Sequence, residues 1–176
     1  ILRSLRKGDK DALCAVYETY KDCLRTIAGS MLHDGSAAED VLHDVFVSFS
    51  QQARQIRIKS SLKHYLIASV VNRVRDEYRR KHVKTTDLEH ADAISSESDG
   101  PDRRVMAGET ASLLREALVL IPFEQREVIV LHLRGGLTFK EIARLQTTTL
   151  STAHGRYRYG LKKLHTLLNG ELSYES

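Results

Sequence analysis

Ser151, Thr152, Gly155, Arg156, Tyr159, Lys162 and Lys163 recur at intervals of one, three and four near the end of the chain. On a helix that spacing gathers them on one side. Their side chains are short, hydroxylated or cationic, a set that suits entry into a DNA major groove, donation to base edges and contact with phosphates. A plain solvated basic face is the other reading of these residues. A second set, Tyr65, Ser69, Asn72, Asp76 and Arg79 with Arg75 and Arg80 beside them, follows a similar period. An aromatic and an amide among arginines suit single-stranded or partly melted nucleic acid, where bases stack and hydrogen bond. An exposed face with Asp76 paired to Arg79 or Arg80 fits as well. A third set is acidic: Asp40 and Asp44 lie four apart, with Glu39 and His43 as neighbours. Paired carboxylates raise metal or catalytic chemistry, but no third ligand or nucleophile is in view. A solvated face and a patch for a basic protein partner both remain open.

Helices must position all three sets. Thr138 and Glu141 form a capping box, which satisfies orphan N–H groups at a helix start, and a short helix runs from there through Leu145. Thr147-Thr148-Thr149 makes the turn, with Thr148 or Thr149 as the expected N-cap, and a last helix reaches about Leu168. A short capped helix, a tight turn and a second helix form a helix-turn-helix layout. At about 100° per residue, Ala153, Tyr157, Leu161, Leu164 and Leu168 fall near Leu150 and are expected to face the core. His154 and Arg158 flank the polar side and are expected to meet the phosphate backbone. Gly155 in mid-helix costs roughly 1 kcal/mol against Ala and lets the helix lie close to DNA. The threonine cluster is also a candidate phosphate acceptor, and phosphate there would repel DNA.

Upstream, "ASLLREALVLI" is amphipathic, and Pro122 suits the first turn of the next helix. That helix carries Val128, Ile129, Leu131 and Leu133 and stops at Gly135-Gly136. Nearer the N-terminus, Leu13, Val16, Tyr17, Tyr20, Leu24, Ile27, Ala28 and Met31 make a buried stripe. Ser36 and Glu39 read as a capping box opening a helix with Val41, Leu42, Val45, Phe46 and Phe49 on one side. A long helix is expected from about Ser60 to Lys81, its core side formed by Leu62, Leu66, Ile67, Val70, Val71, Val74 and Tyr78.

Charge divides the chain into blocks. From Arg54 to Lys84, ten Lys and Arg face two acids, and from Arg134 to His165, seven face only Glu141. Between them, Asp87 to Asp102 holds six acids and no Lys or Arg, in a Ser- and Gly-rich stretch without apolar period, as in a solvated linker. The expected fold is all-α: a helical domain over 1–82, a flexible acidic linker over 83–108, and a helix-turn-helix domain over 109–176. A net charge of +4 makes the distribution of charge matter more than its sum. Cys14 and Cys23 sit about 13.5 Å apart along one helix, too far to bond, and both are expected in the core. No Cys/His cluster has zinc spacing, so no metal or other cofactor is expected. No apolar run approaches the ~20 residues of a membrane span, and a cytoplasmic location is expected. The short tail after the last helix is expected to add no regulatory domain.

The order of these pieces resembles the extracytoplasmic-function group of bacterial sigma factors, in the sigma-70 family, over nearly the whole length. The resemblance rests on "AEDVLHDVFVSF" (38–49), "SLKHYLIASVVNRVRDEYRRK" (61–81), "LREALVLIPFEQREVIVLHLRGGLTFKEIA" (114–143) and the closing helix. It implies a non-enzymatic subunit that binds core RNA polymerase and directs initiation at promoter DNA. By the same resemblance, Asp40 and Asp44 meet the polymerase clamp helices. Tyr65, Asn72, Asp76, Arg79 and Arg80 serve the −10 element and melting. The last helix reads the −35 element, other faces of its domain meet the polymerase flap, and an anti-sigma factor restrains the chain. Three departures stand out: Ile56 where the family commonly has an aromatic, Tyr65 where it has Trp, and three threonines where the turn usually carries Gly, an apolar residue and Pro. A stand-alone helix-turn-helix regulator and a metal-dependent enzyme built on Asp40 and Asp44 are the competing classes.

Overall fold

The structure, a computed structural model, describes residues 2–55, 61–86 and 105–169. Among these residues all regular structure is helical and no strand occurs. The chain divides into two compact units, Ile1–Ser96 and Glu97–Ser176. Most of the linker expected over 83–108, from 87 to 104, lies outside the described residues, as does Ile56. No described helix is long and apolar enough to cross a membrane.

The first unit is built from α1 (Leu2–Arg6), α2 (Lys10–Leu32), α3 (Gly35–Gln52) and α4 (Leu62–Thr86). Asp9 starts α2 by accepting from the Asp11 and Ala12 backbone N–H groups at 3.0 and 3.4 Å, filling orphan donors of the first turn. Helices α2, α3 and α4 pack on one another. Their shared core holds Val16, Leu24, Ile27 and Met31 from α2, Val45 and Phe49 from α3, and Leu66, Ile67, Val70, Val71 and Val74 from α4. These belong to the stripes read from the sequence; Tyr17, expected in the stripe of α2, is instead 40 % exposed, at the rim of the core with its ring edge-on to Phe46 at 4.9 Å.

The start of α3 differs from the expected Ser36–Glu39 box. The cap is Asp34, whose carboxylate accepts from Ala37 N–H at 3.0 Å and from Lys81 Nζ at 2.8 Å. First the Ala37 N–H and then Lys81 hold its carboxyl below the ordinary carboxylate value. A carboxylate two residues upstream thus takes the capping position, while Glu39 turns to Arg25 of α2 at 3.7 Å. Cys14 is also corrected. It is exposed, and Cys23 is half-buried, because the buried positions of α2 are Ala12, Val16 and Leu24, on the other side of the wheel from Cys14.

The second unit comprises α5 (Val105–Val119), α6 (Phe123–Val130), a π-helical turn (Leu131–Gly135), α7 (Phe139–Leu145) and α8 (Leu150–Leu168). Pro122 stands at the N-cap of α6, one residue before the helix proper. Arg126 is buried and donates through Nη2 to the carbonyls of Val119 and Ile121 at 2.8 and 3.2 Å. One guanidinium thereby satisfies carbonyls at the end of α5 and binds it to α6. The π turn breaks the single helix expected through Leu133. Its wider winding shifts the phase, leaving Leu131 buried and Leu133 59 % exposed. Gly136, at φ 72°, then reverses the chain in the left-handed region that glycine tolerates.

Helix α8 buries Ala153, Gly160 and Leu164. Leu164 joins Ala117, Leu118, Ile121 and Ile129, and Leu114, Tyr157, Leu161 and Leu167 pack against that cluster. Leu150 and Leu168, expected in the core, are exposed instead. They stand at the two ends of α8 and do not join that cluster. Gly160 has the tightest seat: a Cβ there would lie 2.8 Å from Ile129 Cδ1 and 3.2 Å from Gln125 Cβ. Gly160→Ala is expected to destabilise the second unit by about 1 kcal/mol, an overpacking cost of roughly 1–3 kcal/mol offset by better helix propensity. Urea unfolding checks it, and an unchanged or higher midpoint contradicts so close an approach of α8 to α6.

Candidate nucleic-acid interface

The turn between α7 and α8 is assembled from local signals. Thr138 Oγ1 accepts from Glu141 N–H at 3.3 Å, and Glu141 Oε2 accepts from Thr138 N–H at 2.8 Å, so the capping box is complete. Helix α7 ends with Thr147 N–H donating to Arg144 O at 3.2 Å and Thr148 N–H to Ala143 O at 2.9 Å. This pair of bonds is the Schellman closure, which places its reversing residue in the left-handed region. Here that residue is Thr147, at φ 51°. Thr149 opens α8 by accepting from Thr152 N–H at 3.1 Å, as one of the two candidate caps.

The sequence-assigned residues of α8 lie together on its outer side. Ser151, Thr152, Tyr159, Lys162 and Lys163 are exposed, and Gly155 and Arg156 are half-buried. A Cβ at Gly155 would meet nothing within 4 Å, so this glycine answers no packing need inside the unit. Arg156 is held: its Nη1 donates to Gln146 Oε1 at 2.7 Å, and Gln146 Nε2 donates to the Glu124 carbonyl at 3.0 Å. A relay from the start of α6 through the end of α7 thus aims a guanidinium on α8. Of the two flanking residues, Arg158 lies over the Tyr159 ring at 5.2 Å and exposed His154 packs on Phe139.

Phe139 fixes α7 to its neighbours. His132 of the π turn stacks on it at 4.4 Å, His154 of α8 packs at 4.1 Å, and Tyr157 meets it edge-on at 5.1 Å. His132 Nδ1 lies 2.9 Å from the Leu137 carbonyl. A carbonyl only accepts, so Nδ1 carries the proton. Sequence reading missed Gln146 and the His132–Phe139–His154–Tyr157 cluster. Neither has a local motif, since their partners come from other elements.

On α4 the picture is mixed. Asn72, Arg79 and Arg80 are exposed. Asp76 pairs with Arg79, and Arg80 takes Glu77 at 3.5 Å. The expected helical-spacing pairing is therefore present, and it splits between two acids. Tyr65 is half-buried, its ring 6.1 Å from Phe49, so part of it serves packing. On α3, Asp40 and Asp44 are exposed, and among the described residues neither has an ion-pair partner. No group of three His, Cys, Asp or Glu able to hold a metal occurs among the described residues, so the paired carboxylates have no supporting ligand set.

Comparison with known proteins adds the following. Residues 16–83 match Sigma-70 region 2. The chain is 23 % identical to the ECF RNA polymerase sigma factor SigW of Bacillus subtilis, over 95 % of this chain and 94 % of that one. It is 27 % identical to the RNA polymerase sigma factor CarQ of Myxococcus xanthus, over 99 % and 98 %. Its fold is similar to the sigma factor RpoE of Bartonella quintana, solved in complex with the anti-sigma factor NepR. The TM-score is 0.70 at 20 % identity, covering 93 % of this chain and 98 % of that one. It is also similar to CnrH, solved with the cytosolic domain of CnrY. There the TM-score is 0.67 at 20 % identity, covering 96 % and 95 %.

The relay to Arg156 has a direct test in a double-mutant cycle of Gln146→Ala and Arg156→Ala on unfolding free energy. A coupling of about 1 kcal/mol is expected for this charge-assisted bond. Strict additivity of the two substitutions contradicts the relay.

Proposed function

A chain that belongs to the extracytoplasmic-function group of the sigma-70 family works, we propose, as a promoter-specificity subunit of RNA polymerase, reading two DNA elements with its two units. The outer face of α8 carries this reading. It is short-chained near its N-terminus and cationic further along, and it holds a glycine that no internal contact requires. Such a face suits close approach to a duplex, with Ser151, Thr152 and Arg156 toward base edges and Lys162 and Lys163 toward phosphates. We assign it to the −35 element.

The first unit takes the complementary tasks. Asp40 and Asp44, exposed and without ion-pair partners among the described residues, offer an anionic patch to the basic clamp helices of the polymerase. Asn72 and the Asp76–Arg79 pair, with Arg80 and the half-buried Tyr65, face the −10 element, where strand opening would expose bases to stacking and hydrogen bonding. Residues 1–82 and 109–176 are the two working domains in this account, and the acidic 83–108 stretch between them opposes stray phosphate contacts. Other faces of the second domain meet the polymerase flap. The solved neighbour RpoE, held by the anti-sigma factor NepR, supports an anti-sigma factor as a further partner, and the work belongs in the cytoplasm beside the polymerase. The chain itself needs no catalytic step or cofactor.

In vitro transcription with core polymerase on a genomic library tests this: new start sites are expected only when the chain is present. Tight duplex binding without polymerase, and no new start sites with it, would instead favour a stand-alone regulator. Two variants sharpen the reading. Gly155→Ala is expected to stabilise the second unit by up to about 1 kcal/mol through helix propensity while lowering promoter-dependent initiation severalfold. Equal initiation contradicts close approach of DNA to this face. Asp40→Lys with Asp44→Lys is expected to weaken assembly with core polymerase at least tenfold, read by co-sedimentation, with the helical circular-dichroism signal unchanged. Wild-type assembly contradicts the clamp assignment.

A further inference from the structure

The three threonines of the turn are not equivalent. Thr149 is occupied, since its hydroxyl caps α8 and lies 2.8 Å from Thr152 Oγ1. Thr148 is half-buried. Thr147 is exposed, and among the described residues its hydroxyl has no hydrogen-bond partner. Arg144 stands three residues before it, exposed on the last turn of α7. An arginine at that spacing gives an acidic peptide cleft a charge to grip. The backbone at Thr147 is left-handed, a region that costs an L-residue with a Cβ roughly 1–2 kcal/mol. The turn therefore opens more cheaply than one closed by glycine.

We propose that Thr147 is a phosphorylation site, modified by a serine/threonine kinase that selects a basic residue before its acceptor, and that the phosphate turns off DNA binding by α8. The inference rests on the assignment of α8 to promoter DNA. In the transfer, Thr147 Oγ1 bonds to the γ-phosphorus of ATP, the bond to the β–γ bridging oxygen breaks, and ADP leaves. The hydroxyl proton passes to the base of the kinase. The product carries a charge of about −1.5 to −2 at neutral pH. Its place is one residue from Gln146, which holds the Arg156 guanidinium at 2.7 Å. The phosphate thus competes for the arginine that leads the DNA-facing side, and it sets a like charge against the approaching phosphate backbone.

The experiment uses the full chain with core polymerase. A purified kinase selective for Arg three residues before the acceptor, with Mg-ATP, is followed by mass-spectrometric mapping of the sites. Phosphate is expected on Thr147 in the wild type and at no equivalent place in Thr147→Ala or Thr147→Gly. The glycine variant accepts the left-handed backbone without strain, which guards against misfolding. Chain made with phosphothreonine installed at 147 is expected to initiate at least tenfold less than unmodified chain on the same promoter. Phosphate found only elsewhere, as on Ser60, which also follows an arginine by three residues, overturns the assignment. So does full initiation by the phosphothreonine protein. Failure of the unmodified chain to initiate at all counts against the sigma-factor reading itself.

Discussion

Everything in the second unit depends on how little of α8 is buried. Three small or medium residues, Ala153, Gly160 and Leu164, form its buried seam, and at Gly160 the close approach leaves no room for even a methyl group. A seam this thin lets a 19-residue helix be fixed along one edge while most of its surface stays outside. The helices beneath are fixed in turn by Arg126, whose buried guanidinium joins the end of α5 to α6. The usual trade between burial and exposure is thus settled in favour of a rigid, mostly solvated rod. Such a rod is what a groove-reading element requires.

Charge is sorted by element within each unit. On α3, Glu39 is drawn to Arg25, while Asp40 and Asp44 are exposed and, among the described residues, without ion-pair partners. On α4, Asp76 and Glu77 each tie one arginine, a weak restraint at exposed helical spacing that nucleic acid can displace. Helix α8 carries no Asp or Glu, and Arg158, Lys162 and Lys163 face out. Arg156 is oriented by a neutral partner, Gln146, which steers the guanidinium without cancelling its charge.

What could be read in advance was whatever depends on neighbours in sequence. The Thr138–Glu141 box, the Thr149 cap, the apolar stripes of α2, α3 and α4 and the polar side of α8 all follow from spacings of one helical turn. The misreadings have particular causes. Asp34 outcompeted Ser36 as the cap of α3 because its carboxylate also receives Lys81 from 47 residues away. Leu133 left the core because a π turn changes the period in mid-pattern, a change that the apolar spacing before it does not signal. Leu150 and Leu168 obey the wheel but sit at the two ends of α8, away from the buried seam. Gln146 and the rings around Phe139 were invisible for the same reason as Lys81: their meaning comes from partners on other helices.

The most direct measurement is the salt dependence of promoter binding by the assembled polymerase. Wild-type chain is compared with one carrying Arg156→Gln, Lys162→Gln and Lys163→Gln. Each lost phosphate contact lowers the slope of log K against log salt by about 0.9. The account predicts a slope shallower by about two to three, with the helical content of the chain preserved. An identical slope means that the outward cations of α8 do not touch DNA, and the account of this helix then fails.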